Sequence, residues 1–434
     1  MKRKNLLCIL LAAALLILSA CSASKSGQTQ ERSEGFVPRL DKETESEITI
    51  AGHYNNFEAL EEEFNRFLAY YPNVKLTYNF MDGYSKSGSG ILSTALKSSE
   101  APDIFFTYPY MKNWEDGAEI FAAAENLADP ALGIDLSCIR PGLITKEEDG
   151  SVYSVPVYTT TYGMLVNEDL FAKENLSVPT TYEELIRACE KLKNAGYSSP
   201  VMCYSQGDML YSMVYPYFCG QIKDNEAALK ALNSMEPGAG EYVRKTLELA
   251  ADFMSRGFMD LEQCDALEDN YESVILRFFE GDVPIMLATG NTVSGTEKRE
   301  AKSEAFSANP FKYTFYPVPS TDQGGYFTNS VSIGFGVNKN SSHLDMANEF
   351  MRFLVSTEEM NLICKAKRMV TPCVDMSLDS VYAPFQKISS DRFINLSELG
   401  LDDEPASQVN KAIWKVSVGE MSVDEAVAAF GTLE

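Results

Sequence analysis

Two histidines, His53 and His343, stand far apart in the chain, and no H-x-x-x-H, C-x-x-C, Cys/His cluster or G-x-S-x-G occurs. A metal centre or an activated serine therefore has no visible equipment. What the sequence does supply is flat rings and short polar side chains: His53, Tyr54, Asn55, Asp82, Tyr84, Tyr108, Tyr110, Tyr158, Thr160, Gln206, Asp208, Asn291, Thr292, Thr328 and Asn329. Rings stack on the C–H faces of a polyhydroxylated solute, while amides, carboxylates and hydroxyls satisfy its hydrogen bonds. That is binding chemistry; it calls for no bond-breaking step, no metal and no cofactor. Taken singly, each residue is as ordinary as a surface tyrosine or a turn asparagine. They count together because all fall at the ends of expected strands or where the chain crosses between lobes.

Those ends are set by a repeating pattern. Glu47 to Ile50 alternates like a strand, and Phe57 to Tyr70 places Leu60, Phe64, Phe67 and Leu68 on one helical face. Val74 to Tyr78 alternates again, Ile91 to Lys97 is a second helix, and Ala101 to Phe106 is a short apolar strand of the kind parallel sheets bury. Strand, helix, strand, helix, strand predicts a doubly wound α/β lobe, in which ligands lie beyond the carboxyl ends of the strands. Here those ends are His53 to Asn55, Met81 to Tyr84 and Thr107 to Tyr110.

Val152 to Thr161 is rich in Val, Tyr and Thr but interrupted by Pro156, so it reads as a strand leaving one sheet for another. Thr181, with Glu184 three residues on, caps a helix that Gly196 ends. Pro200 to Tyr204 is expected to be the first strand of a second lobe, with Gln206 and Asp208 just past it. The apolar run from Val283 to Gly290 reads as a second crossing. The expected division is therefore residues 47–156 with 288–340 in one lobe and 157–287 with 341–434 in the other. Pro156 to Thr160, Leu287 to Gly290 and Asn338 to Ser341 would absorb a bend between them.

A chain of 434 residues, 45% hydrophobic and 23% charged, can bury a sizeable core. A formal charge of −25 argues against nucleic acid, whose phosphates need a lysine and arginine surplus, and against adsorption on anionic lipid. The N-terminus offers another route to a membrane. Lys2, Arg3 and Lys4 precede the apolar stretch Leu6 to Leu18, and Leu18-Ser19-Ala20-Cys21 resembles the lipobox of bacterial lipoproteins. The resemblance implies removal of residues 1–20, lipidation of Cys21 and a flexible tether over 21–46. Seven further cysteines cannot all pair; they read as small buried hydrophobes, with Cys364 and Cys373 the pair open to bridging. Two weaker motifs are set aside. Lys86 to Gly90 lacks the spacing of a phosphate cradle, and Asp402-Asp403-Glu404 lacks the alternating ligands of a calcium loop.

Several segments, in order over residues 46–430, resemble the extracellular solute-binding proteins of family 1. They are Tyr153, Pro156, Leu165-Val166-Asn167, Asp169-Leu170-Phe171 and Pro179-Thr180-Thr181-Tyr182, with Pro102-Asp103-Ile104-Phe105-Phe106, Glu125 to Asp129, Phe278 to Gly290 and Ser422 to Ala426. The resemblance implies two α/β lobes of the type II periplasmic-binding-protein kind and a carbohydrate of one or more sugar units held between them. It further implies a monomer that serves an ABC import permease. The chain departs from the family where sugar binders often carry tryptophan: Gly290 is followed by Asn291 and Thr292, and Thr107 and Tyr108 follow the Pro-Asp strand. Trp114 and Trp414 are the only tryptophans, and both suit helix packing. A peptide or other non-sugar solute, a sensor that signals rather than transports, and a secreted sugar-cleaving enzyme remain the alternatives.

Overall fold

The computed structural model describes residues 35–54, 57–86, 88–203, 208–267 and 271–434. Strand β1 (Ser46–Gly52) lies parallel to β2 (Val74–Phe80) on one side and β3 (Ile104–Thr107) on the other, joined through helices α1 (Glu58–Leu68) and α2 (Ile91–Ala95). The alternation of β1 is realised: Ile48 and Ile50 are fully buried while Glu47 and Thr49 are not. All four residues of β3 are buried, as a strand paired on both edges under helices requires. Beyond β3 the sheet continues into β9 (Phe327–Val337), an antiparallel strand that also pairs β4 (Val155–Thr160).

The second sheet has the order β6 (Val201–Met202), β7 (Ile285–Thr289), β5 (Tyr162–Asn167), β8 (Tyr313–Tyr316). Helices α3 (Tyr182–Asn194), α4 (Asp208–Ile222) and α5 (Arg244–Ser255) belong to it. Thr181 caps α3 by accepting from the Glu184 amide, and the Glu184 carboxylate turns back to the amide and hydroxyl of Thr180. The buried apolar residues form two separate clusters. One is built on Ile48, Phe67, Phe106, Phe335 and Phe350, and the other on Leu165, Phe218, Phe253, Ile285 and Phe315. Two cores mean two lobes.

The chain passes between them three times. The first pass falls within Val152 to Thr161, the segment the sequence singles out, but after Thr160 rather than after Pro156: β4 belongs to the first sheet, β5 to the second, and only Thr161 separates them. The other two differ from the expectation. Residues 288–326 stay in the second lobe, because β7 is needed as an interior strand there: all five of its residues are buried between β5 and β6. Helices α6 (Gly290–Val293) and α7 (Thr296–Glu300) follow it. The return is β9 itself, eleven residues long; Phe327 to Asn329 pair with β10 (Phe393–Asn395), and Ser330 onward pairs with β4 and then β3.

Helix α8 (Leu344–Leu354), expected in the second lobe, packs on the first, where Phe350 meets Phe64 at 5.6 Å and Phe67 at 5.2 Å between ring centroids. Helix α9 (Thr357–Ala366) lies against α1. The third pass therefore comes after α9, where Val370 bridges Thr159 and Cys373 bridges Ile139. The final helices, α10 (Asp403–Ser417) and α11 (Val423–Ala428), cover α5, and Ser422 and Glu425 form a capping box at the start of α11.

The expected tether is docked from Phe36 onward. Phe36 sits edge-on to Tyr70 and Phe353, at 5.1 and 5.2 Å, with the Arg352 guanidinium 4.4 Å from its ring. Arg39 donates to the carbonyls of Ala131 and Leu132. Cys21 lies outside the described residues. The seven later cysteines are free thiols, and Cys373 has Cys138, not only Cys364, beside it.

Candidate functional site

The first wall of the site is a ring cluster at the carboxyl ends of β1 and β3. His53 and Tyr54 follow β1, with ring centroids 4.4 Å apart, and both meet Phe106 at 5.8 Å. Tyr108 follows β3, and its hydroxyl is hydrogen-bonded to His53 Nδ1. Burial, reinforced by the charge of Lys367, lowers the His53 pKa to about 4, so the imidazole is neutral at ordinary pH. Burial also holds the Tyr108 phenol protonated. Tyr110 stacks on Tyr108 at 5.4 Å with the planes 4° apart, and Trp114 backs it at 5.9 Å. Tyr110 is half exposed, so a flat ring faces solvent on a rigid aromatic support.

The junction of the lobes contributes the second set. The Asn291 amide oxygen accepts from Ser332 Oγ at 2.8 Å, which ties α6 to β9. Thr160 precedes the first pass, and its hydroxyl, like those of Tyr158, Thr289, Thr292 and Thr328, has no hydrogen-bond partner among the described residues. Tyr162, at the start of β5, meets Tyr211 edge-on at 5.6 Å, and Tyr211 stacks on Tyr215 at 4.1 Å. Tyr162 pairs with Thr289, so the start of β5, the end of β7 and the end of the parallel β6 share one edge of the second sheet.

Of the residues singled out in the sequence, His53, Tyr54, Tyr108 and Tyr110 come together on the first lobe, and Thr160 and Asn291 lie at the junction. Asp82 is exposed in the loop after β2. Five others are interior. Tyr84 is fully buried and donates to the Phe106 carbonyl at 2.6 Å. Tyr158 is buried against Phe57 at 5.8 Å. Thr292 and Thr328 are likewise fully buried. Asn329 is buried as a structural tie: its amide donates to Thr159 Oγ1 at 2.9 Å and the Thr160 carbonyl at 3.1 Å, and its oxygen accepts from Arg140 at 2.6 Å. Tyr84 lies in the turn after β2, Thr292 in α6 and the other three within β4 and β9, where packing on both faces buries successive residues. Asn55, Gln206 and the side chain of Asp208 lie outside the described residues.

Sequence reasoning missed Tyr162, Ser332, Lys367 and the position of Trp114. Lys367 caps the C-terminus of α9, where a lysine is ordinary. Its ammonium nevertheless stands 4.6 Å from the Tyr54 ring centroid and 5.7 Å from that of Phe57. A cavity of about 470 Å³ is lined by Lys112, Phe121, Glu147, Tyr153 and Lys339 and does not coincide with the ring cluster. It is a groove of the first lobe spanned by the Lys112–Glu147 ion pair. A smaller neighbour of about 70 Å³ reaches Tyr108, Val331 and Ser397. The ring cluster is a better candidate than either, because it stands at the carboxyl ends of parallel strands and presents stacking faces with hydrogen-bonding groups beside them. Among the described residues no group of three His, Cys, Asp or Glu side chains could hold a metal.

The sequence profile of the bacterial extracellular solute-binding proteins matches residues 51–361. Several solved structures share the fold. Apo RafE from Streptococcus pneumoniae is 17% identical, over 91% of this chain and 98% of its own, with a TM-score of 0.66. The GacH receptor of Streptomyces glaucescens, solved unliganded and with acarbose, is 18% identical over 90% and 97%, with a TM-score of 0.64. A sugar transporter from Bacillus licheniformis, in complex with stachyose, is 16% identical over 89% and 100%, with a TM-score of 0.57. No curated protein matches the chain by sequence.

Proposed function

Because the chain belongs to the bacterial extracellular solute-binding proteins, we propose that it is a receptor which captures a small carbohydrate between its lobes and delivers it to an ABC import permease. The observation that carries this reading is the half-exposed Tyr110 on Tyr108 and Trp114, next to a neutral histidine, at the strand ends of a lobe separately cored from its partner. Support comes from the neighbours too: RafE is solved with raffinose, GacH with acarbose and the Bacillus licheniformis protein with stachyose.

Mechanistically, each lobe contributes part of the contacts, so solute binds the closed arrangement better and shifts an open–closed equilibrium by that difference. The bend would fall on the three passes: Thr161 between β4 and β5, the middle of β9, and residues 367–373. Micromolar binding needs roughly 8 kcal/mol net, within reach of two or three stacked rings and a few charge-free hydrogen bonds. No chemical step is needed. Cys21 lipidation would hold the receptor on the outer face of the membrane.

A calorimetric titration with raffinose, stachyose, maltotriose and xylotriose tests the proposal. Saturable binding of at least one oligosaccharide is expected, and silence for all of them together with binding of a peptide would overturn it. Labelling of expressing cells with a palmitate analogue tests the anchor; a C21A chain should lose the label, and retention of label would refute lipidation at that residue.

A further inference from the structure

We propose that the captured saccharide is acidic, and that Lys367 receives its carboxylate: the ammonium on the Tyr54 and Phe57 rings, beside His53, is a subsite for a uronic-acid unit. The inference rests on the carbohydrate reading above and narrows it. Lys367 differs from the solvated lysines of this acidic chain in that its ammonium lies over two aromatic rings, 4.6 Å from Tyr54 and 5.7 Å from Phe57. No carboxylate of the described residues lies within ion-pair distance of Lys367 Nζ. The acid nearest in effect, Glu58, is held by Lys298 at 3.1 Å, across the lobe junction.

Glu58 apart, the charges that act on Lys367 are positive. Lys298 and Arg299 on α7, in the second lobe, both act on Lys367. Arg299 keeps its Nε without a partner, while its terminal nitrogen reaches Glu272 at 3.4 Å. His53 stands against Tyr54, and with Nδ1 bonded to Tyr108 its Nε2 has no hydrogen-bond partner among the described residues. A carboxylate arriving here meets an unpaired ammonium, an aromatic face for its sugar ring and a neutral imidazole edge. Burial lowers the Lys367 pKa against the opposing charge of Glu58, the mark of a cation partly stripped of water. A neutral sugar would leave that cation unpaired in the closed cleft. If Lys367 served only to cap α9 and cover two rings, its loss would change stability but not the choice between acidic and neutral sugars.

The test is a calorimetric titration of the full chain with three probes: trigalacturonate, galactotriose and inorganic phosphate, each at 50 and 300 mM salt. The acidic trisaccharide should bind at least tenfold tighter than the neutral one, with a gap that narrows in salt, and K367M should abolish the gap while K367R keeps part of it. Equal or tighter binding of galactotriose, or a preference that survives K367M, overturns the acidic-sugar inference and leaves the carbohydrate reading standing. Binding of neither trisaccharide counts against the carbohydrate reading itself. Phosphate binding as tightly as trigalacturonate shows a plain anion site and also overturns the inference. Should K367M fail to fold, K367R and the salt dependence of the unmodified chain decide the matter.

Discussion

Replacing Asn329 with alanine distinguishes a ligand residue from a tie between lobes. Asn329 is fully buried on β9, where that strand passes from the second lobe to the first. Its three hydrogen bonds join β9 to β4 through Thr159 and Thr160, and to Arg140. Arg140 in turn donates to the carbonyls of Thr371 at 2.9 Å and Cys373 at 2.8 Å, so the tie reaches the third pass as well. Burial lowers the Arg140 pKa to about 10, so this guanidinium is short of water and depends on its acceptors.

Truncation removes one charge-assisted bond and two neutral ones, and takes a donor from the part-buried Thr160 carbonyl. The loss comes to about 3 kcal/mol. For a chain of this length the unfolding entropy is roughly 0.8–0.9 kcal/mol per kelvin, so the midpoint should fall by about 3–4 °C in a single cooperative transition. Differential scanning calorimetry without solute measures it. Asn291→Ala is the companion: it strands only a half-exposed serine hydroxyl, so its midpoint should stay within about 1 °C while oligosaccharide affinity drops. An Asn329→Ala midpoint equal to that of the unmodified chain, with affinity alone reduced, would refute the reasoning and return Asn329 to the ligand contacts.

Tyr110→Ala removes an exposed stacking face and should weaken sugar binding roughly five- to tenfold with no change in midpoint, as read by calorimetric titration. Glu63, Arg66 and Glu359 form a buried triad in which burial and the charge of Glu359 raise the Glu63 pKa well above 4.5. The folded chain thus holds a proton that the unfolded chain releases, and the stability it contributes is present below pH 4.5 and lost as pH rises. E63Q should therefore gain on the unmodified chain above that pH by up to about 1.4 kcal/mol per unit, and parallel urea stability curves from pH 5 to 7 would contradict this. His53 has the opposite sense: its depressed pKa gives stability that is complete above pH 6.5 and lost as pH falls toward 4. Ring-nitrogen NMR should find His53 neutral at pH 5.5, and a midpoint near 6.5 would show the ring to be solvated.

Local periodicity was enough for much of this molecule. Ile48 and Ile50 alternating, the Leu60–Phe64–Phe67 stripe and the capping box of Ser422 and Glu425 are short-range features, so they survive into the fold unchanged. Pro156, too, sits where β4 has a partner on one edge, as its missing donor demands. The site was half legible for the same reason: the rule of strand ends finds His53, Tyr54, Tyr108 and Tyr110, but it cannot see which of their neighbours turn inward.

What lay beyond the sequence was the traffic between lobes. An apolar strand such as Ile285 to Thr289 reads the same whether it stays in its sheet or leaves it, and only the need for an interior strand between β5 and β6 decides. The stripe of α8 says that the helix is buried without saying against which core; the fit of Phe350 to Phe64 and Phe67 settles that. Gly334 is another case. Its lack of a side chain becomes necessary only because β3, β4 and β9 converge there, where an added Cβ would meet Ser154 Oγ at 2.5 Å and Thr107 Oγ1 at 2.7 Å. Lys367 became notable only once α9, 300 residues downstream of the β1 strand end, laid its last turn across Tyr54. Hydrophobic pattern, which acts over a few residues, wrote the elements; packing between segments far apart in the chain chose their partners, and with them the walls of the cleft.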